Sequence, residues 1–244
     1  MRRALVVGGA SGIGLGLVCQ LLGRPECERV YVVDRQPFPR EYADDRVEAH
    51  EFDLTSPDYA LFDRFGDIDT LILTAGFGRL ALFGEVSEEH IQQSFAVNTV
   101  ATLRILRRFY PLLEGREDFH CAVMGSIAGF LSSPFFAVYA ATKAALRVFI
   151  ESVNVELTKA GSPNRILNVS PGSIKGTGFY QGATDLELTA PLAREILCHM
   201  EAKDDLYIPQ YDEVYAQVLA RYQADFRAEG LRSYDYKRQQ IDQR

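Results

Sequence analysis

Tyr139 and Lys143 lie four residues apart and share one face if Tyr139-Ala140-Ala141-Thr142-Lys143 is helical. A free phenol titrates at about pH 10 and is a poor base at neutrality. A neighbouring ammonium favours the phenolate, and lowering the value by about three units would take about 4 kcal/mol. The phenol could then exchange a proton with an alcohol or carbonyl oxygen. Ser126, thirteen residues upstream at the end of an apolar run, is placed to hydrogen-bond the same oxygen. Taken alone, a Tyr-x-x-x-Lys pair is usually an ordinary surface pair. Its weight here comes from what precedes it.

Gly8-Gly9-Ala10-Ser11-Gly12-Ile13-Gly14 joins a first apolar run to a first helical pattern. Glycine has no Cβ and accepts positive φ, so such a turn bends sharply and lets a pyrophosphate approach the backbone. The unpaired amides and dipole of a helix start favour an anion there. A tight turn without a ligand would look the same, but Asp34 follows twenty residues after Gly14, at the end of the second apolar run. A carboxylate at that place accepts hydrogen bonds from both ribose hydroxyls and repels a 2′-phosphate. Arg35, next to it, could pair with that phosphate. The expected cofactor is therefore NAD, with NADP left open by Arg35.

These residues need elements to hold them. Short apolar runs at Ala4–Gly8, Arg29–Asp34, Val47–Phe52, Asp69–Thr74, Phe119–Gly125, Arg165–Ser170 and Tyr207–Ile208 read as strands. Helical patterns lie between them at Gly12–Leu22, Tyr59–Phe65, Glu88–Leu113, Tyr139–Ala160 and Pro191–Ala202. Alternation of this kind predicts an α/β fold: a doubly wound (Rossmann) parallel sheet in three α/β/α layers and a single domain. The catalytic domain is expected over 1–210. The charged, tyrosine-rich stretch 211–244 is expected as a helical tail, with one amphipathic helix through Val214, Val218 and Leu219 and either a further helix or a loose end near Tyr234–Arg244.

The chain has 244 residues and a formal net charge of −7, so it lacks the basic field that nonspecific nucleic-acid binding needs. Cys19, Cys27, Cys121 and Cys198 form no C-x-x-C pair, which suits a reducing cytoplasm. No membrane span is expected. His50, His90, His120 and His199 show no zinc-ligand spacing, so no metal is expected. Arg104, Arg107 and Arg108 read as a basic patch on one helix, solvated or at a subunit contact.

With these motifs in order, the sequence resembles the short-chain dehydrogenase/reductase family, in its single-domain branch, over roughly Ala4 to Gly178. Gly8, Gly12, Ile13 and Gly14 match the glycine motif, within which Ser11 lies. Asp53, with Leu54 beside it, matches the acid that contacts the adenine amino group, and Ala75-Gly76 the end of the fourth-strand motif. Asn98 matches a fourth catalytic member that holds a water in the proton path to the lysine. Ser126, Tyr139 and Lys143 match the catalytic three, and the lysine would also bind the nicotinamide ribose. Pro171-Gly172 matches the loop after the sixth strand, where Ile174 would contact the carboxamide.

Val7 stands where threonine is usual, Leu73-Thr74 where paired asparagines are, and Gly176 where threonine is. The family's glycine-rich ending is replaced by the charged tail. A homodimer through Leu103–Leu113 and Tyr139–Ala160 is expected, with a tetramer possible.

The resemblance implies an oxidoreductase that moves a hydride between a nicotinamide cofactor and a small alcohol or ketone. Phe130, Leu131, Phe135, Phe136, Phe179 and Tyr180 suggest an apolar pocket wall, and Gly176–Ala183 a lid. Two other readings use the same scaffold: a non-catalytic dinucleotide sensor, and a sugar-nucleotide epimerase or dehydratase. The last normally needs a larger C-terminal domain than the roughly seventy residues after Pro171.

Overall fold

Alternate residues of each strand face opposite sides, so strands that are apolar throughout must be covered on both. The computed structural model, which describes residues 1–180 and 183–242, has that arrangement. Seven parallel strands are β1 (Arg3–Val7), β2 (Arg29–Asp34), β3 (Val47–Glu51), β4 (Thr70–Leu73), β5 (His120–Met124), β6 (Ile166–Val169) and β7 (Leu206–Tyr207). Their order in the sheet is β3-β2-β1-β4-β5-β6-β7. Leu5 and Val7 join one buried cluster with α3 (Ala101–Glu114) and α4 (Ala137–Ala160). Ala4 and Val6 join the other, with α1 (Gly12–Leu22) and α5 (Leu186–Glu201). The chain order reverses between β1 and β4, and the crevice at their carboxyl ends is where doubly wound sheets bind ligands.

The expected strands and α1 are present, most with ends shifted by one residue. Other elements differ in kind. The stretch Glu88–Leu113 is not one helix. It comprises α2 (Glu88–Phe95), a π-helical turn at Ala96–Val100, and α3. Such a turn inserts a residue into the helical ladder and is common at functional sites. The segment near Tyr59–Phe65 is a 3₁₀ turn, Ala60–Arg64, held by aromatic packing rather than helical periodicity. Tyr59 stacks on Phe62 at 5.3 Å, and Phe52 meets both rings edge-on.

The arginine patch is largely tied down. The Arg104 guanidinium lies 3.7 Å over the Tyr59 ring and donates to the carbonyls of Ser56 (3.0 Å) and Pro57 (2.6 Å). Arg108 pairs with Asp63 at 3.2 Å.

The tail holds the amphipathic helix and, of the two alternatives for its end, a further helix rather than a loose end. A π-helical turn at Tyr211–Tyr215 leads into α6 (Ala216–Ala224) and α7 (Phe226–Asp242). Asp225 caps α7 by accepting from the amides of Arg227 and Ala228. The buried carboxylate of Glu229 joins the two helices, taking both a fork from Arg221 (2.7 and 3.0 Å) and a bond from Arg232 (3.1 Å). Gln243 and Arg244 of the expected tail, and Gln181 and Gly182 of the expected lid, lie outside the described residues. Among the described residues no helix is long and apolar enough to cross a membrane, and no group of histidines, cysteines or acids could hold a metal ion.

Phe62 is 1% exposed at the centre of the aromatic cluster. Phe62→Ala is expected to destabilise the fold by about 3–5 kcal/mol, because the cavity cannot close around three fixed rings. A urea titration checks this: the midpoint should fall while its slope holds.

Candidate active site

The crevice begins at the glycine turn. Gly8 has φ +87°, and Gly14 packs so tightly that a Cβ would run into the Gly8 carbonyl. Helix α1 therefore starts directly above the end of β1, as glycine alone allows. Thr74 supports the turn from β4, its hydroxyl donating to the carbonyls of Val7 and Gly8 (both 3.0 Å). The family's asparagine position thus carries a threonine that still braces β1.

Ser11 is exposed and extended, and its side chain makes no cap. The Gly12 amide donates 2.8 Å to the hydroxyl of Thr184, from the loop before α5. That amide is thus directed at an oxygen acceptor, as anion binding requires. Ile13 turns its side chain into the α1–α5 core.

Asp34 ends β2 beside this turn. One carboxylate oxygen accepts the Ala10 amide (3.0 Å) and the other the Gln36 amide (3.1 Å), so the acid is held in place while partly open to solvent. Arg35 is exposed. Asp53 is also exposed, and the amide and hydroxyl of Thr55, both at 2.8 Å, keep its carboxyl below the usual range. Leu54 packs on the core and its carbonyl accepts the Tyr59 hydroxyl. Capless helix amides, an acceptor-aimed Gly12 amide and a fixed acid at the ribose position together fit a dinucleotide.

The catalytic candidates come from three elements. Ser126 follows β5 and is 8% exposed. Its oxygen accepts the Ala128 amide at 3.2 Å, lies 3.5 Å from the Pro171 carbonyl, and shares a hydrogen bond with the Tyr139 hydroxyl. Tyr139 and Lys143 lie on α4, one turn apart. The Lys143 ammonium is buried, donates 2.7 Å to the Met124 carbonyl, and sits 5.7 Å from the Tyr139 ring centre. It also borders Gly76: a Cβ there would lie 3.4 Å from the ammonium. Ala75 continues the turn, its amide donating to Val7.

One expectation changes with this geometry. The phenol of Tyr139 is raised, not lowered: burial outweighs the opposing hydrogen bond from Ser126. The Lys143 ammonium, aimed at the Met124 carbonyl, does not reverse this shift. Burial pushes Lys143 down to about 8. Asn98 is fully buried in the π-helical turn. Its side-chain amide bridges the amide and carbonyl of Phe77 (2.9 and 2.8 Å) and the hydroxyl of Thr142 (3.2 Å). Asn98 thereby ties the Gly76–Phe77 bank to the helix bearing Tyr139. Thr142 completes that tie and was not singled out from the sequence, although it sits inside the Tyr-to-Lys segment.

The loop after β6 closes one side. Pro171 is buried, Gly172 follows it, and Ile174 packs against the α1–α5 core. Further on, the Phe179 ring lies 5.1 Å from Tyr139 and 5.8 Å from Phe136. Of the expected apolar wall, Phe136 and Phe179 thus meet Tyr139. Phe135 turns to the tail and Phe130 to Arg147. Thr184 on the glycine turn carried no local sequence signal, since its partner lies 172 residues away.

The dry lysine has a cost. An ordinary lysine titrates at 10.5, and this one falls to about 8. Between those values the unfolded chain holds the proton and the folded chain does not, so stability rises with pH across that window. Below it, the buried ammonium costs about 3 kcal/mol. Lys143→Met is therefore expected to be more stable than the parent at pH 7, by up to about 3 kcal/mol, with the gain vanishing towards pH ~10.5. Denaturant titrations at several pH values test this, and a less stable variant at pH 7 would refute it.

Comparison with known proteins agrees with this geometry. A family model described as short chain dehydrogenase matches residues 2–187. An uncharacterized oxidoreductase of Staphylococcus epidermidis is 30% identical over 193 residues, spanning 72% of this chain and 81% of that one. A 1-deoxy-11-beta-hydroxypentalenate dehydrogenase of Streptomyces exfoliatus is 32% identical over 199 residues, covering 75% and 70%. Among solved structures, a short chain dehydrogenase from Burkholderia cenocepacia in complex with NADP superimposes with TM-score 0.78 at 26% identity, covering 96% of this chain and 99% of that one. With a parallel sheet reversing at a glycine turn and a serine, tyrosine and lysine at its carboxyl edge, this chain belongs to the short-chain dehydrogenase family of oxidoreductases.

Proposed function

We propose that this oxidoreductase is nicotinamide-dependent and interconverts an apolar alcohol and its ketone. The observation that carries the reading is the convergence of the Ser126 and Tyr139 hydroxyls beside a buried Lys143 ammonium. A substrate oxygen between the two hydroxyls is fixed by Ser126. Burial keeps the Tyr139 phenol protonated, so it serves as the acid when a carbonyl is reduced. Lys143 spends one N–H on Met124, leaving two to hold a ribose and to return a proton to the phenol. Asn98 and Thr142 keep the two banks in register. A nicotinamide dinucleotide would be held by the glycine turn at Gly12 and Ile13 through its pyrophosphate, by Asp34 through its adenosine ribose and by Lys143 and the Pro171, Gly172 and Ile174 loop at its nicotinamide end, and would supply or accept the hydride.

Asp34 supports NAD as the preferred cofactor, since its fixed carboxylate suits free ribose hydroxyls and opposes a phosphate. Arg35 keeps NADP in play, as does the NADP in the Burkholderia relative. The aromatic pair Phe136 and Phe179 beside Tyr139 supports an apolar substrate. Two relatives point the same way by name, the hydroxypentalenate dehydrogenase and a human 17-beta-hydroxysteroid dehydrogenase type 1, the latter 33% identical over 106 residues. Exposed Val148 and Val155 on the outer face of α4 support a homodimer through the long helices. The four free cysteines suit a cytoplasmic setting.

Tyr139→Phe is expected to lower kcat by about 10²–10⁴-fold while cofactor affinity holds. Ketone reduction followed by nicotinamide absorbance tests this, and near-parental turnover would refute the role of the phenol. Reduction should also fall as pH rises through about 8, where Lys143 loses its proton. Asp34→Ala is expected to narrow the kcat/KM preference for NAD over NADP by at least about tenfold, as expected when one charge-assisted contact is lost. An unchanged ratio would remove Asp34 from cofactor choice.

A further inference from the structure

The C-terminal segment does more than trail from the edge strand. It touches both banks of the cleft. On one bank, Tyr215 presses its phenol against Gly172 so closely that a Cβ there would collide with the hydroxyl. Gly172 follows Pro171, whose carbonyl accepts the Ile127 amide at 3.0 Å and lies 3.5 Å from the Ser126 oxygen. Tyr215 is thus placed one residue from a direct neighbour of the catalytic serine. On the other bank, α7 covers the segment between Ser126 and Tyr139. Tyr234 packs on Phe135 with ring centres 4.8 Å apart. Lys237 donates to the Ser133 hydroxyl (2.7 Å) and the Pro134 carbonyl (3.0 Å), and lies 5.4 Å over the Phe136 ring.

The backbone is shaped to deliver Tyr215. Gln210 adopts φ +59°, a left-handed conformation uncommon outside glycine, and a π-helical turn runs from there to Tyr215. The amides of Val214 and Tyr215 both donate to the Gln210 carbonyl. The Arg221–Glu229–Arg232 cluster then fixes α6 against α7. Conformational strain of this kind is tolerated where surrounding structure holds it in place. Yet the hydroxyl so carefully placed makes no hydrogen bond among the described residues. It is half-buried, in surroundings that raise the phenol and keep it a neutral donor.

We propose that Tyr215 determines specificity, by hydrogen-bonding a second oxygen on an apolar alcohol or ketone. The aromatic rings beside Tyr139 take the apolar body, and Tyr215 reads the distal polar group. This rests on the alcohol–ketone reading above.

The test compares the parent with Tyr215→Phe on 4-phenylbutan-2-one and 4-(4-hydroxyphenyl)butan-2-one, which differ in one distal hydroxyl. The parent should favour the hydroxylated ketone through KM by about three- to tenfold, the value of one neutral hydrogen bond. Tyr215→Phe should abolish that preference, leaving kcat and the plain ketone within about twofold. Equal losses on both ketones, or an unchanged preference, would overturn the proposal. Calorimetric Kd values for the same pairs, measured without turnover, separate the two claims. A Kd difference that Tyr215→Phe removes, without reduction of either ketone, would keep the role of Tyr215 and count against the dehydrogenase reading. Turnover without any Kd or KM difference between the two ketones in the parent would do the reverse.

Discussion

The site depends on keeping one ammonium dry. Lys143 is 3% exposed, and among the described residues no acid is bonded to it. An unpaired buried charge is tolerated only where dipoles replace water, and here the Met124 carbonyl at the end of β5 does part of that work. The rest of the architecture serves this arrangement. The parallel sheet aims its strand carboxyl ends at the cleft, so carbonyls such as that of Met124 point where a cation is needed. Helix α4 then carries Lys143 and Tyr139 into it on one face. The destabilisation is local and is offset by two large apolar layers, one on each side of the sheet.

The framework around that lysine is built from neutral hydrogen bonds. Asn98 and Thr142 join the β4 bank to α4, Thr74 joins β4 to the glycine turn, and Ser126 joins β5 to the β6 loop. Neutral donors and acceptors hold geometry without adding a net charge beside the buried ammonium. The π-helical turn at Ala96–Val100 belongs to this framework, since it is the irregularity that carries Asn98.

Much of this was legible in the residues. Gly12–Leu22 and Arg29–Asp34 stand where periodicity placed them, because helix and strand periods are local properties. Ser126, Tyr139 and Lys143 were readable as types and spacings, and the structure brings them together. Other features were not. The break at Ala96–Val100 lies in a stretch of unbroken helical pattern, where nothing local marks the extra residue. The direction of the Tyr139 shift depends on how much water the fold removes and where the lysine points, and spacing reports neither. Thr184 and Tyr215 act on partners far away in the chain, Gly12 and Gly172. Only tertiary structure makes those pairs.

The Thr184 contact has a consequence for ligand entry. Its hydroxyl oxygen already accepts the Gly12 N–H, with Thr177 packed against the same glycine. An anion arriving at the first turn of α1 must displace that oxygen before it gains the donor. Thr184 therefore competes with the incoming group for one hydrogen bond, and the apparent affinity of an anion there would be reduced to the fraction of molecules in which Thr184 has let go. Residues that never touch the anion, such as the Asp185 cap that anchors the start of α5 beside Thr184, thereby gain influence over how readily the crevice fills.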